Sequence, residues 1–251
     1  MRWMMGALLA LGLVGGAAQG SVAQGLVAQG LNTEQRAEVL QLLRQALRED
    51  PSILRDALTG LDEAERRDRA ETQRAAIVQQ RAALFEDAAD PVKGNPRGDV
   101  TIVEFFDARC GFCRQMHPTM AALLARDRNV RVVLKDLPVL GPASVLASRA
   151  LLAAHRQGRY GAFYDALLAL RTEPTEAVLR QQAERVGLDW ARLRRDMDDP
   201  AIQRRIETNL RLAQALGIDG TPSLVIGRTL VPGAVDLPTL ERLVAEARAA
   251  R

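Results

Sequence analysis

Val100-Thr-Ile-Val-Glu-Phe-Phe-Asp-Ala-Arg-Cys-Gly-Phe-Cys113 is the stretch of sequence that decides the fold. Its first half is a mostly apolar run typical of a buried strand. Its second half contains the only two cysteines of the chain. The residues that follow are good helix formers. The free N–H groups and the dipole at the start of a helix stabilise a thiolate, and two thiols three residues apart share one helical face. The stretch therefore predicts a strand, a turn and a helix that begins with a dithiol able to close as a disulfide.

The same two cysteines could instead be half of a metal site, because His117 extends them to a Cys-x2-Cys-x3-His pattern. A structural zinc takes four ligands, usually cysteine and histidine. His155 is the one other histidine, so a complete site would need that residue or a carboxylate. We therefore favour redox chemistry, and we predict neither a metal nor an organic cofactor.

The first 23 residues have the layout of a secretory signal peptide. Arg2 provides the positive charge, residues 3–14 are apolar, and small residues follow up to Ala23. The alternative is a membrane anchor, but the apolar run is short of the roughly 20 residues that span a bilayer. We expect cleavage, no membrane span in the mature chain, and export to an oxidising compartment where disulfides persist.

Charge and composition exclude one class of partner. The formal net charge is +3, basic and acidic residues are interspersed, and aromatic residues make up 4% of the chain. Nucleic-acid binding needs basic runs or patches with aromatic residues among them, so we predict no nucleic-acid partner. A hydrophobic content of 47% over 251 residues suits one main domain with an appendage.

The region before the main domain is predicted to be helical. Residues 24–60 hold a helix from Asn32 or Thr33 to about residue 48 and a second helix that opens at Asp50-Pro51, each with an apolar face. These helices are too small to bury that face on their own, so residues 31–60 are predicted to oligomerise. Residues 61–90 are charged on all sides and read as a linker helix, or alternatively as a helix packed on the main domain.

Residues 91–251 form the predicted main domain. A second strand covers residues 130–135, helices broken by Gly or Pro fill about residues 143–216, and a hairpin and a last helix follow. The order β-α-β, helices, β-β-α predicts an α/β protein. It corresponds to a thioredoxin fold with an inserted helical domain, preceded by an α-helical N-terminal extension.

Four parts of the chain carry a resemblance to a known family. Residues 103–114, Val-Glu-Phe-Phe-Asp-Ala-Arg-Cys-Gly-Phe-Cys-Arg, resemble the active-site strand and helix of the DsbA-like thiol-disulfide oxidoreductases of the bacterial periplasm. The helical insertion and Gly220-Thr-Pro-Ser-Leu-Val-Ile-Gly227 match the same family. The N-terminal extension, with Arg48-Glu-Asp-Pro-Ser-Ile-Leu54, resembles the oligomerisation segment of its suppressor-of-copper-sensitivity protein C type.

The resemblance implies roles for five residues. Cys110 would be the more exposed, nucleophilic thiol and Cys113 the resolving one. Thr221 and Pro222 would form a cis-proline loop whose backbone pairs with a substrate peptide in β fashion. Glu104 would lie beneath the active site and move protons to and from Cys113.

Other positions near the motif have two readings each. Lys135 would pair with Glu104 in the family pattern, whereas the alternative places both on a solvated face. Phe112 and Met116 form an apolar rim for substrate, or else belong to the core. Asp107 either caps the active-site helix or only lies in the loop.

Three further polar residues flank the motif. Arg109 and Arg114 would add positive potential that favours a thiolate. His117 lies on the helical face of Cys113, and we expect a structural role for it rather than a catalytic one.

The implied function is thiol-disulfide exchange with unfolded or misoxidised exported proteins in the periplasm. A membrane redox partner would keep the cysteine pair reduced or oxidised. Oligomerisation favours an isomerase or reductase, because it shields the thiol from an oxidising partner. The alternatives are a monomeric dithiol oxidase and a periplasmic copper-binding protein that uses the same thiols.

Overall fold

The computed structural model describes residues 30–250. The predicted signal peptide, residues 1–23, lies outside the described residues. None of the helices within residues 30–250 is long and apolar enough to cross a bilayer.

The described chain forms ten helices and one sheet of five strands. The helices are α1 (Thr33–Glu49), α2 (Ser52–Gln79), α3 (Arg81–Phe85), α4 (Gly111–Arg126), α5 (Pro142–His155), α6 (Tyr160–Leu168), α7 (Glu176–Arg185), α8 (Trp190–Met197), α9 (Pro200–Ala215) and α10 (Leu237–Ala249). The strands are β1 (Val92–Gly94), β2 (Val100–Phe106), β3 (Val130–Asp136), β4 (Ser223–Ile226) and β5 (Thr229–Pro232).

The sheet confirms the predicted thioredoxin fold. Its strand order is β1-β3-β2-β4-β5, with β2 and β3 parallel and every other pair antiparallel. The parallel pair is joined through α4, and the β4–β5 hairpin and α10 complete the fold. The helical insertion, α5 to α9, lies between β3 and β4. Strand β1 was not predicted, because three residues are too few to show a period in the sequence.

Side chains alternate between the two faces of the sheet, and each face is covered by its own set of helices. Ile102, Phe106 and Leu134 point to the face that belongs to the larger apolar core, with α4, α10 and the insertion. Phe105 and Val133 point to the opposite face, where α2, α3 and α9 supply the remaining apolar side chains. Strand β2 is therefore buried on both faces, as expected for a central strand.

The N-terminal helices begin with the predicted caps. At the start of α1 the Asn32 side chain accepts the backbone N–H of Gln35, and the Gln35 side chain accepts the backbone N–H of Asn32. The Asp50 carboxylate accepts the Ser52 amide at 3.0 Å before α2. Helix α2 then continues to Gln79, so the predicted short helix and the predicted linker helix are one element. Gly60 is the one weak helix former at the expected break, and a single glycine costs only about 1 kcal/mol there.

The chain divides into two compact units, with the division between Ala64 and Glu65. The first holds α1 and the start of α2, and no residue of α1 is buried. The second contains the whole sheet and the insertion. Within the insertion, the predicted breaks at Gly158, Gly187 and Asp199 all fall between helices. The Asp199 side chain caps α9 by accepting the Ala201 amide at 2.7 Å.

Candidate active site

The two cysteines lie where the sequence predicts, at the start of the helix that follows the central strand. Cys110 is the N-cap residue of α4, and Cys113 lies on its first turn. Both are free thiols. The backbone N–H of Cys110 donates to the carbonyl of Asp107 at 3.0 Å, which closes the turn after β2. Cys110 is thus at the positive end of the helix dipole, where a thiolate is stabilised.

Burial differs between the two thiols in the expected direction. Cys110 is 8% exposed and Cys113 is 0% exposed. Burial raises the pKa of the Cys113 thiol above its ordinary value, and the nearby charges of Cys110 and Glu104 act in the same direction. Cys113 therefore holds its proton until a neighbouring group accepts it. Such an arrangement suits attack by Cys110 and later resolution by Cys113.

The loop opposite the cysteines has the predicted cis peptide bond, between Thr221 and Pro222. The Cys110 Sγ–H donates to the backbone carbonyl of Thr221 at 3.1 Å. On the other side of the loop, Gly233 donates its N–H to the carbonyl of Pro222 at 2.8 Å. The Thr221 backbone therefore lies directly beside the thiol that would meet a substrate disulfide.

Asp107 does not cap α4, but its carboxylate holds two loops together through hydrogen bonds. Its carboxylate accepts the backbone N–H groups of Arg109 at 2.8 Å, Val139 at 3.0 Å and Leu140 at 3.1 Å. Asp107 thereby ties the loop after β3 to the turn that carries Cys110. A buried carboxylate with three amide donors is well satisfied, which explains how the fold tolerates it.

The two arginines that flank the motif make specific contacts. Arg109 pairs with Glu173 in the insertion and also donates to the Leu140 carbonyl. Arg114 donates through Nε to the carbonyl of Ala108 at 3.3 Å. Both brace the active-site turn, and the charge of Arg109 is offset by its acidic partner.

The structure distinguishes the two readings of Phe112 and Met116, as Phe112 is exposed and Met116 belongs to the core. Phe112 is 65% exposed and lies between the cysteines in sequence, so it is available to a substrate. Met116 is 0% exposed and packs in the larger core, because its position on α4 points toward the sheet. Val139 and Leu140, about half exposed, provide apolar surface on the neighbouring loop instead.

Glu104 is fully buried on the face of the sheet that α4 and α6 cover. Its Oε2 accepts the Tyr164 hydroxyl at 3.1 Å, and among residues 30–250 its Oε1 has no hydrogen-bond partner. Burial raises the pKa of Glu104 to about 7, although Tyr164, His117 and Lys93 act to lower it. The carboxyl group can therefore take up or release a proton near neutral pH.

The predicted pairing of Glu104 with Lys135 is wrong, and so is the solvated alternative. In the parallel ladder Glu104 is opposite Leu134, and Lys135 is opposite Phe105, so the two charged side chains point to opposite faces. Both are buried. Lys135 forms an ion pair with Asp90 and donates to the Ala83 carbonyl at 2.7 Å.

The cationic side chains near Glu104 come from other elements. Nε2 of His117 lies 2.7 Å from Oδ1 of Asp165, which also forms an ion pair with Lys93. The ammonium group of Lys93 lies 5.0 Å from the centroid of the Tyr164 ring. This group of four side chains, Lys93, His117, Tyr164 and Asp165, borders the buried carboxyl, and we call it the Glu104 cluster.

A profile described as the DSBA-like thioredoxin domain matches residues 101–245, more than half of the chain. The chain belongs to the DsbA-like family. The matched range contains both cysteines, the insertion and the cis-proline loop, which are the parts that the sequence resemblance identified.

Two solved structures show how far the DsbA-like resemblance extends. A thioredoxin-like oxidoreductase from Silicibacter pomeroyi DSS-3 is 44% identical to this chain, with a TM-score of 0.66, over 68% of this chain and 99% of that one. ScsC of Proteus mirabilis, in a transitional conformation, is 30% identical with a TM-score of 0.66. That similarity covers 88% of this chain and 99% of ScsC, which agrees with the predicted subtype.

Curated relatives include longer proteins with a DsbA-like part. The Na(+)/H(+) antiporter NhaA 3 of Salinispora tropica is 32% identical over 160 residues, which is 63% of this chain. The match spans only 24% of that antiporter. The similarity is therefore to one domain within a longer protein.

The metal pattern considered for this DsbA-like chain is not assembled. Within residues 30–250, no group of three or more histidine, cysteine or acidic side chains is arranged to hold a metal ion. His117 is turned to Asp165 rather than to the cysteines.

Sequence reasoning missed Lys93, on a strand of three residues, and Tyr164 and Asp165, on a helix of the insertion. A compositional signal was available. Lys93 and Lys135 are the only lysines of the chain, although lysine and arginine together number 34. A chain that uses arginine almost everywhere places each lysine in a buried or half-buried ion pair, where a compact ammonium group fits.

Proposed function

We propose that this DsbA-like protein exchanges disulfides with unfolded or misoxidised exported proteins in the periplasm, as an oligomeric isomerase or reductase. The geometry at Cys110 carries the proposal. The thiol is at the amino end of α4, 3.1 Å from the Thr221 carbonyl, with buried Cys113 one helical turn away. This arrangement presents the Cys110 thiol to substrate and keeps the Cys113 thiol buried for the later resolving step.

The first step is attack by the Cys110 thiolate on a substrate disulfide. A bond forms between the sulfur of Cys110 and one substrate sulfur, and the substrate S–S bond breaks to release a thiolate. The backbone of Thr221 would pair with the extended substrate chain beside the reacting sulfur. Phe112 would contact apolar side chains next to the substrate cysteine, which is the kind of surface that unfolded proteins expose.

The second step resolves the mixed disulfide in one of two ways. In a reductase, Cys113 loses its proton to Glu104 and attacks the sulfur of Cys110, so the substrate leaves with both electrons as a dithiol. In an isomerase, a second substrate thiol attacks instead, which restores the Cys110 thiolate and forms a new substrate disulfide. The buried carboxyl of Glu104 supports the first route, because its raised pKa makes it a proton acceptor at neutral pH.

The preference for isomerase or reductase work rests on residues 31–60. Large apolar side chains of α1 and the start of α2 are exposed, and they would be buried against further copies of the chain. Several copies would surround a substrate and hinder access by an oxidising partner, so a membrane redox partner would maintain the reduced thiols. The similarity to ScsC of Proteus mirabilis, which covers 88% of this chain, supports the proposal.

Cysteine variants test the chemistry. Cys110→Ser should abolish insulin reduction, whereas Cys113→Ser should accumulate mixed disulfides because attack continues and resolution does not. Insulin reduction retained by Cys110→Ser would contradict the assignment. Refolding of scrambled ribonuclease then separates the roles. Recovery of ribonuclease activity indicates an isomerase, oxidation of reduced ribonuclease alone indicates the dithiol oxidase, and Cu(I) binding without exchange indicates the copper-binding alternative.

A further inference from the structure

Glu104 needs a way to exchange its proton with solvent if it serves Cys113. The carboxyl group is fully buried, and Tyr164 is its one hydrogen-bond partner in the described part of the chain. A proton left on Glu104 after one turnover would stop it from accepting the next. The phenol of Tyr164 does not ionise to solve this problem, because burial raises its pKa well above the ordinary value.

A small cleft connects Glu104 with side chains that reach the surface. Glu104, His117, Lys93 and Tyr164 all line it. The side chains of His117 and Lys93 are each part-exposed, and that of Asp165 is more exposed still. Access to water therefore increases stepwise from Glu104 to His117 and then to Asp165.

We propose that His117, held by Asp165 and accompanied by Lys93, carries the proton of Glu104 between the buried site and solvent. The inference rests on the proposed exchange function. The proton that leaves the Cys113 thiol binds the Glu104 carboxylate, passes to the His117 imidazole, and is released to water at the exposed side of the ring. No electrons move in this transfer, and the reverse sequence serves the opposite direction of exchange.

The Glu104 cluster has the features that a proton carrier needs. Imidazole is the side chain best suited to transfer protons near pH 7. Although burial acts to raise the pKa of Asp165, hydrogen bonds from His117 and Lys93 hold it below its usual value. The carboxylate therefore stays ionised and keeps the ring in place. The rings of His117 and Tyr164 lie 5.7 Å apart, so His117 borders the group that contacts Glu104.

The neighbours of Glu104 on β3 and β4 are Leu134 and Leu224, and the titratable side chains around it come from three other elements. Helix α4 supplies Cys113 and His117, helix α6 supplies Tyr160, Tyr164 and Asp165, and strand β1 supplies Lys93. Burial is the main cause that raises the pKa of Glu104, of both tyrosines and of Cys113; His117 and Lys93 act to lower that of Glu104, and the negative charge of Glu104 adds to the rise at the other three. The cations of the cluster thus favour the ionised Glu104 that can accept a proton.

The experiment isolates the resolving step in the full-length chain. Cys110 is loaded with glutathione, and the release of glutathione by Cys113 is followed from pH 5 to pH 9. Near pH 6–7 much of Glu104 begins protonated and must lose that proton before it can accept one from Cys113, so His117→Gln should slow release about tenfold there, a modest fraction of what proton transfer contributes to catalysis. Added imidazole buffer should restore the rate of this variant in proportion to its concentration. A purely structural role for His117 would show no such rescue.

Two further variants provide a control and an independent test of the proton route. His155→Gln removes the other histidine, which is exposed and packs on Tyr160, and should leave release unchanged. Asp165→Asn keeps the imidazole but removes its acceptor charge, and should also slow release. If His117→Gln does not fold by circular dichroism, Asp165→Asn decides the question alone.

The result also separates this inference from the proposed function. Release from folded His117→Gln at the native rate and pH profile would overturn the proton route, although the exchange function would stand. No glutathione release from the native protein would instead contradict the exchange function.

Discussion

At Glu104 the fold keeps a carboxyl group away from water, and this affects stability as well as chemistry. Burial raises its pKa from the ordinary 4.5 to about 7. Below about pH 4.5 the group is protonated in both the folded and the unfolded chain. Between pH 4.5 and pH 7 the folded state keeps a proton that the unfolded state releases, so the free energy of unfolding falls as pH rises. Asp136, also fully buried with a pKa of about 7, acts in the same direction.

Glu104→Gln should therefore flatten part of this pH dependence. The neutral amide carries no charge at any pH, so the variant should gain stability relative to the native protein between pH 5 and pH 8. The gain is on the order of 2 kcal/mol, since one pKa unit corresponds to about 1.4 kcal/mol. Urea unfolding at both pH values measures it, with Glu71→Gln on the exposed side of α2 as control. Equal pH slopes for Glu104→Gln and the native protein would show that folding does not raise the pKa of Glu104.

Phe112 and Met116 distinguish an exposed substrate contact from a core residue four positions later. Met116→Ala should lower the free energy of unfolding by roughly 2–5 kcal/mol, because it leaves a cavity between α4 and the sheet. Phe112→Ala should change stability by less than about 0.5 kcal/mol and instead raise the KM for an unfolded disulfide substrate. Denaturant unfolding and insulin-reduction kinetics test the pair. The assignment fails if the two variants show the same pattern.

Among the elements, β3, α9 and the turn before β1 are joined by one buried ionic group. Lys135 pairs with Asp90, and Arg205 donates to Asp90 at 2.6 Å. Removing one member of a buried ionic group leaves the others without their partner, which costs about 3–5 kcal/mol. Lys135→Met should lose stability by that amount, whereas Arg128→Met, at an exposed position, should not. Since Lys135 faces away from the cysteines, the exchange rate of the folded fraction should stay unchanged. A slower exchange rate in folded Lys135→Met would instead indicate that Lys135 acts on the active site.

The register of β2 against β3 explains why the sequence misled at Lys135. Strand β2 is a mostly apolar run with one charge, Glu104, and the charges of β3 lie toward its two ends, so neither strand shows an alternation that assigns Glu104 or Lys135 to a face. Only the pairing of Glu104 with Leu134 decides the matter, and that register depends on the loop between the strands and on helix packing. Predictions were more reliable where a short segment contains residues with a distinctive chemistry, such as cysteine or proline. The cysteine turn, the Asp199-Pro200 helix start and the cis bond at Pro222 were all predicted correctly.

The Glu104 cluster was beyond sequence reasoning for a related reason. Lys93 lies on a strand too short to recognise, and Asp165 lies on a helix of the insertion, 48 residues from its partner His117. Contacts of this kind arise when elements pack, and no period or motif along the chain records them. The cysteine pair and the cis-proline loop could be predicted from the sequence. The charged side chains around Glu104 are brought together only by the packing of the tertiary fold.

At the scale of the whole molecule, the N-terminal helices expose apolar surface that the described residues, 30–250, do not cover. The exposed large side chains of α1 and the start of α2 are Val39, Leu40, Leu42, Leu43, Ile53, Leu54, Leu58 and Leu61. Full burial of one such side chain is worth roughly 1.5–3 kcal/mol. A patch of this extent is typical of a surface that meets a partner, and copies of the same helices are the partner that we propose.

Charge placed on that surface should dissociate the oligomer without unfolding the catalytic unit. The double variant Leu40→Lys and Leu43→Lys puts two ammonium groups into the proposed interface, where burial of unpaired charge is strongly unfavourable. Light scattering should show a multiple of the chain mass for the native protein and a single chain for the variant. Gln41→Lys, an exposed polar position on the same helix, should keep the native mass. The monomeric variant should still reduce insulin through Cys110 but lose its ability to rescue scrambled ribonuclease. If the native protein itself has the mass of one chain, the N-terminal helices have another role, and the isomerase proposal loses its main support.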